Sequence, residues 1–213
     1  MPRWEIVETW KDQDVFIIGG GNSLRNFDWS LLFDECTIGC NMAFIHGSQV
    51  CKICIFGDTK WFRRFKLDLM AFDGIVFTSH KEYAKSKIDW LWTLPRKPKG
   101  LSKTELGWNL NTGSNAINLA LILGAKRVYL LGFDMKLLDR AKPNWHDLLI
   151  NGIDTFNDPL YKRFNEGFRK VAECLPRVFP GREVFNVTDD SGLDVFPKIS
   201  CDEFWSKRKL THG

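Results

Sequence analysis

Five stretches of this sequence carry residues suited to holding an anion or moving a proton. Asn111 to Asp134 reads NTGSNAINLALILGAKRVYLLGFD; Thr112, Gly113 and Ser114 are helix-starting types, and the carboxylate of Asp134 closes the stretch. The free N–H groups at the start of a helix attract phosphate or another anion. Gly19 to Leu24 reads GGGNSL, in which Gly19, Gly20 and Gly21 let the backbone approach a pyrophosphate, and Asn22 and Ser23 add polar side chains. Asn41 in GCNMAF has an amide able to accept from and donate to a ribose or base, and Asp58 follows Gly57 in the same way. His146, in the run Trp145, His146, Asp147, has an imidazole suited to proton transfer near neutral pH, with a neighbouring carboxylate to orient it. Read blandly, the same residues make a well-capped core helix, three turns and a loop histidine.

The elements that would position these residues argue for a site. Val15 to Ile18, Thr37 to Cys40 and Ile53 to Phe56 are short apolar runs, and each stops at one of the polar or glycine positions above. Three strands ending alike favour one ligand edge over three unrelated turns, because open α/β sheets bind at the carboxyl ends of their strands. Gly74 to Thr78 predicts a fourth strand, with Ser79 and His80 at its end, and Trp90 to Leu94 a fifth before the link PRKPKG. Leu101 to Asn111 carries little regular pattern. Ala116 to Leu123 is apolar enough for a helix buried on a sheet, Gly124 ends it in the left-handed region, and Val128 to Leu131 reads as a strand covered on both faces. Asp28 to Phe33, Thr59 to Met70 and Pro159 to Leu175 predict helices, and Glu183 to Val187 a last strand. The sequence therefore predicts a single α/β domain over 1–213, a doubly wound, mainly parallel Rossmann-like sheet with helices on both faces. Lys136 to Asp158 has no regular pattern; stretches beyond ~15 residues of that kind usually cover sites, so 136–158 is expected as an inserted lid-like loop. Residues 201–213, with Lys207, Arg208 and Lys209, are expected as a flexible, solvated tail.

Composition narrows the classes. The formal charge of +4 is spread without a dense basic tract, which favours a small anionic ligand at least as much as nucleic acid. The glycine spacing is not G-x-G-x-x-G and lacks G-K-[ST], which argues against a dinucleotide dehydrogenase and a P-loop kinase. Cys36, Cys40, Cys51 and Cys54 allow a four-thiolate metal site on paper, but Cys51 and Cys54 flank an apolar run without knuckle glycines, so buried reduced thiols are expected. A polar start and no apolar run of ~18 residues predict neither signal peptide nor membrane span, and a cytoplasmic protein.

Together, GGGNSL, GCNMAF, the Gly57–Asp58 pair, NTGSNAINLALILGAKRVYLLGFD and a following histidine resemble the superfamily joining bacterial sialyltransferases of glycosyltransferase family 42 with the 6-hydroxymethylpterin pyrophosphokinase-like (MAF-type) domain. The resemblance spans roughly Val15 to Ser191. Asn22 stands where the sialyltransferases have proline, and glycine rather than arginine precedes Cys40. The resemblance implies a nucleotide-dependent transferase that uses a sugar nucleotide, CMP-sugar-like, and places Gly19 to Ser23, Asn41, Asp58 and the turn Thr112 to Ser114 around the nucleotide. It implies His146 as general base, with Asp134 beside the reacting groups, and no cofactor. The pyrophosphokinase branch implies instead a triphosphate with Mg²⁺ on Asp58 and Asp134 and a pterin-like substrate. A non-catalytic nucleotide-binding protein would keep the pocket alone. The acceptor (a glycan, a lipid-linked sugar or a modified nucleic-acid base) and the oligomeric state stay open.

Overall fold

The computed structural model describes residues 8–84, 88–136, 144–146 and 158–212. Seven strands form one parallel sheet: β1 (Asp14–Ile18), β2 (Cys36–Cys40), β3 (Ile53–Phe56), β4 (Ile75–Thr78), β5 (Leu91–Thr93), β8 (Arg127–Leu131) and β9 (Glu183–Asn186). Their order is β5-β4-β3-β2-β1-β8-β9, so the chain walks outward from β1 to β5 and then returns to the other side of β1. The direction of winding reverses between β1 and β8. In doubly wound sheets that reversal opens a crevice at the strands' carboxyl ends.

The strands read as apolar runs because both faces are covered. Along β1, Val15 and Ile17 join one core, while Phe16 and Ile18 join the other. On β8 Val128 and Leu130 alternate in the same way with Tyr129 and Leu131. Helices α3 (Thr112–Ile122) and α4 (Asp158–Val178) cover the first face, and α1 (Thr59–Ala71) and α5 (Cys201–His212) the second. This two-sided burial is what makes a parallel sheet stable.

Three expectations need correcting. Asp28 to Phe33 holds only a 3-10 turn, Trp29–Leu32, because the Asp28 carboxylate accepts from the Ser30 N–H and fixes a tight start. The unpatterned stretch before α3 contains a two-residue strand, β7 (Leu106–Gly107), paired in parallel with β6 (Arg96–Lys97). Residues 201–212 form a helix where a flexible tail was expected. Phe204 and Trp205 of α5 pack around Phe16, and Arg208 binds the Glu35 and Asp14 carboxylates at 2.7 and 3.1 Å. The helix α2 (Lys81–Ala84) is a single turn. Among the described residues, no helix is long and apolar enough to cross a membrane.

Candidate functional site

The glycine turn and Asp134 meet at the reversal between β1 and β8, and they fit together closely. Gly19 and Gly21 donate N–H bonds to the carbonyls of Leu131 and Gly132 at 2.7 and 2.8 Å. A Cβ on Gly19 would lie 2.5 Å from the Gly132 oxygen, and one on Gly21 would lie 2.3 Å from Oδ1 of Asp134. These glycines are therefore required by the second turn, which approaches closer than any side chain permits. Ser23 donates to the Asp134 carboxylate through its N–H (3.1 Å) and its hydroxyl (2.5 Å), and the Asn22 N–H lies on the same group. Burial raises the Asp134 pKa above the usual carboxylate value, and the Ser23 and Asn22 bonds oppose that rise. The sequence suggested a turn whose amides cradle a pyrophosphate. In the structure the amides of Gly19, Gly21, Asn22 and Ser23 serve β8 and Asp134 instead.

Part of the lid-like segment lies on this turn. Asn144 bridges Gly21, Trp145 donates its N–H to the Gly20 carbonyl at 3.3 Å, and its indole donates to the Gly19 carbonyl at 2.9 Å. Arg25 reaches the Asn144 carbonyl at 3.0 Å. His146 follows directly, half-buried, its ring 5.0 Å from the Trp145 ring, so the histidine stands next to the turn that follows β1. Its sequence neighbour Asp147 and most of 136–158 lie outside the described residues. Two groups escaped the sequence reading. His46 stacks between Trp29 and Trp145 at 4.0 and 4.8 Å, and burial lowers its pKa. Tyr161 of α4 is buried near enough to Asp134 to feel its charge, and burial first, then that charge, push its pKa up to about 12. Neither carries a local motif.

The middle of the same edge carries polar groups that are left unpaired. Asn41 follows β2 with φ of 53°, a left-handed conformation that asparagine tolerates, and its buried Oδ1 has no partner among the described residues. Helix α3 starts alongside. Asn111 is its N-cap, a residue the sequence reading passed over, and its side chain accepts from the Ser114 N–H at 2.6 Å. Ser114 is fully buried, and its hydroxyl donates to the Trp108 carbonyl at 2.7 Å, so it holds the loop before the helix. The N–H groups of Thr112 and Gly113, in the first turn of the helix, have no partner among the described residues; Gly113 itself is buried against Phe133 and Phe168. Asn115 and Asn118, polar interruptions in an apolar helix, are both bonded. Asn115 accepts from the Ser79 hydroxyl at 2.6 Å, and Asn118 binds Ser102 and the Gly107 N–H.

Asp58 is an exposed N-cap of α1, accepting from the Trp61 N–H at 2.9 Å. It ends β3, three strands from β8 and Asp134. At ~4.8 Å per strand that is ~14 Å, too far for the two carboxylates to share one Mg²⁺, whose ligands sit at about 2.1 Å. Among the described residues no three His, Cys, Asp or Glu side chains gather to hold a metal, and all six cysteines are free. Cys40, Cys51 and Cys54 are buried thiols; burial pushes Cys51 up to about 12 and the other two upward as well.

At the far end of the edge, Arg96 lies over the Trp108 ring, its guanidinium carbon 4.1 Å from the ring centre. Its Nε donates to the Ser79 carbonyl and hydroxyl at 3.1 and 3.2 Å. Trp108 in turn covers Gly57, where a Cβ would lie 2.2 Å from the indole and 3.3 Å from the Thr112 hydroxyl. His80 sits close by; burial and then the Arg96 charge lower its pKa.

No known family model matches the sequence, and no curated protein sequence matches it. Among solved structures, the fold is similar to that of the sialyltransferase CstII from Campylobacter jejuni, described in complex with the substrate analogue cytidine-5'-monophosphate. That likeness has a TM-score of 0.53 at 13% identity, and covers 89% of this chain and 85% of that one. A second CstII structure, in complex with CMP-3FNeuAc, aligns at a TM-score of 0.49 and 13% identity over 87% of this chain and 84% of that one. The sialyltransferase-like fold expected from the motifs is thus present. Nothing found bears on the pterin pyrophosphokinase branch.

Proposed function

We propose that this protein is a glycosyltransferase that takes a nucleotide-activated sugar, CMP-sugar-like, and moves the sugar to an acceptor hydroxyl. The observation that carries the reading is the start of α3: two partnerless N–H groups, Thr112 and Gly113, beside the partnerless buried Oδ1 of Asn41, at the ligand edge of a fold similar to that of a sialyltransferase. Thr112 and Gly113 hold the nucleotide phosphate through their N–H groups, and the +0.5-charge-like end of the helix favours the negative charge that builds as the sugar leaves. The Asn41 amide orients the nucleotide or the sugar. His146, half-buried next to the turn that follows β1, takes the proton from the acceptor hydroxyl as that oxygen attacks the anomeric carbon. Asp134 acts through Ser23 and the glycine turn: it fixes the wall on which Trp145, and so His146, rests. The step needs no metal, since backbone dipoles and a side-chain base meet the charge and the proton.

The acceptor remains a glycan, a lipid-linked sugar or a modified nucleic-acid base. The experiment that tests the reading is donor hydrolysis and transfer with CMP-, UDP- and GDP-sugars, each with and without EDTA. Turnover of one donor unaffected by EDTA is expected. Turnover of none, with Mg²⁺-dependent use of a nucleoside triphosphate instead, would replace this reading by the pyrophosphokinase one.

A further inference from the structure

Among the described residues Arg96 is a half-buried cation without a counter-ion. Two contacts hold it: the indole of Trp108 lies 4.1 Å under the guanidinium carbon, and Ser79 accepts from Nε. Ser79 is itself held, its hydroxyl donating to Asn115 of α3, so the arginine is aimed by a rigid frame. Nη2 is buried and has no hydrogen-bond partner. No carboxylate lies within ion-pair range of Arg96 among the described residues, and burial lowers its pKa. Removing a guanidinium from water without a partner costs folding free energy, so such a group calls for a partner that the chain itself does not provide. Arg208 shows the alternative in the same molecule: it is equally withdrawn, but Glu35 and Asp14 meet it.

The surroundings fit an oxyanion. The fork of an arginine matches two oxygens of a carboxylate or phosphate, and stacking on an indole pre-orders that fork. Trp108 and the Thr112 hydroxyl lie together over Gly57, which places Arg96 on the same ledge as the unpaired N–H groups of α3. His80 is near enough to feel the Arg96 charge: burial and then that charge lower its pKa, while Glu82 and Asp58 act the other way. We propose that Arg96, held on Trp108 by Ser79, is a substrate-binding residue that grips an oxyanion on the β3–β5 side of the site, either a nucleotide phosphate or a carboxylate on the sugar or acceptor. This rests on the glycosyltransferase reading only in naming the oxyanion's owner.

The test is a titration of the full chain, 15N-labelled, with inorganic phosphate in one arm and acetate in the other. The Trp108 indole N–H and Arg96 Nε–H signals report it, assigned with Trp108→Phe and Arg96→Lys. Saturable movement of both signals is expected from at least one anion, and Arg96→Gln weakens that binding about tenfold, as expected for loss of a charge-assisted pair. Parallel titrations with cytidine and cytidine monophosphate separate the sources. If Arg96→Gln weakens the monophosphate but not cytidine, the oxyanion is the nucleotide phosphate. If acetate moves the signals and the monophosphate binds the variant as well as the native protein, it is a carboxylate. Signals unmoved by either anion would overturn the proposal, and this reading needs no variant to fold. Native protein that responds to an anion at Arg96 yet binds no nucleotide would leave this site standing and remove the nucleotide reading instead.

Discussion

The ligand edge of the sheet has two parts built on opposite principles. At the β1–β8 seam the polar groups serve each other: the amides of Gly19 and Gly21 meet β8, Ser23 meets Asp134, and Trp145 closes over the turn. Along β2 to β5 Ser79, Asn111, Ser114 and Asn115 are paired too, but Asn41 Oδ1, the α3 N–H groups and Arg96 Nη2 are without partners among the described residues. Buried polar groups are normally paired, so a cluster of exceptions points to a ligand, while a closed network points to architecture. The glycine-rich turn, the feature most suggestive of phosphate in the sequence, is thus the wall of the site. Its side with unpaired groups is the start of α3.

The largest effect expected is on chemistry. His146→Ala should lower sugar transfer by about 10² to 10⁴-fold, the usual contribution of a general base, while cytidine monophosphate binding measured by calorimetry changes little. A non-catalytic nucleotide binder would show no transfer to lose. Next is Gly21→Ala, where a methyl meets Asp134 and Gly132; urea unfolding should show a loss of about 3 kcal/mol. A loss well under that would mean the seam is loose enough to admit a ligand, and the contrast between the two parts would fail.

The two half-buried arginines sharpen the comparison further. Arg208→Gln leaves Glu35, whose side chain is only 19% exposed, without its cation, while Asp14 keeps Arg127 at 2.7 Å; the loss should be about 2 kcal/mol. Arg96→Gln removes a cation that has no carboxylate partner, only the Ser79 oxygens and the Trp108 ring, and should change stability by less than about 1 kcal/mol. Equal losses would make Arg96 a structural pillar. The smallest effect concerns Asp134. Its folded pKa is raised, so the folded state holds the proton more tightly than the unfolded state does. As pH falls from neutral through that raised value towards the ordinary carboxylate range, native protein should gain stability relative to Asp134→Asn. Urea midpoints of the two proteins across that range check the sign.

Much of the fold was legible because parallel strands covered on both faces leave apolar runs that need no partner to be seen. Ile53 to Phe56 is the clearest, matching β3 residue for residue. Helix α5 was not legible, since CDEFWSKRKLTH lacks a continuous apolar stripe and is anchored by contacts with Phe16, Glu35 and Asp14 far away in the chain. The strands β6 and β7 are two residues each, below any period, and depend on Asn118 bonding the Gly107 N–H. For the site, the sequence singled out positions where backbones approach closely but not what approaches: Gly21 meets Asp134 rather than an open space. Arg96 was hidden in the link PRKPKG because the lack of a counter-ion is a property of the folded chain. Ser114 and Asp58 were marked as ligand groups, and in the structure both hold helix starts or the loops beside them.

The most direct test of the account is a titration of 15N-labelled protein with cytidine monophosphate, followed at the backbone amides. The account predicts saturable shifts that are largest at Thr112, Gly113 and Asn41, smaller at Gly19 and Gly21, and binding about tenfold weaker in Asn41→Ala. Shifts concentrated in the glycine turn with α3 unmoved, or no response to any nucleoside phosphate, would contradict it.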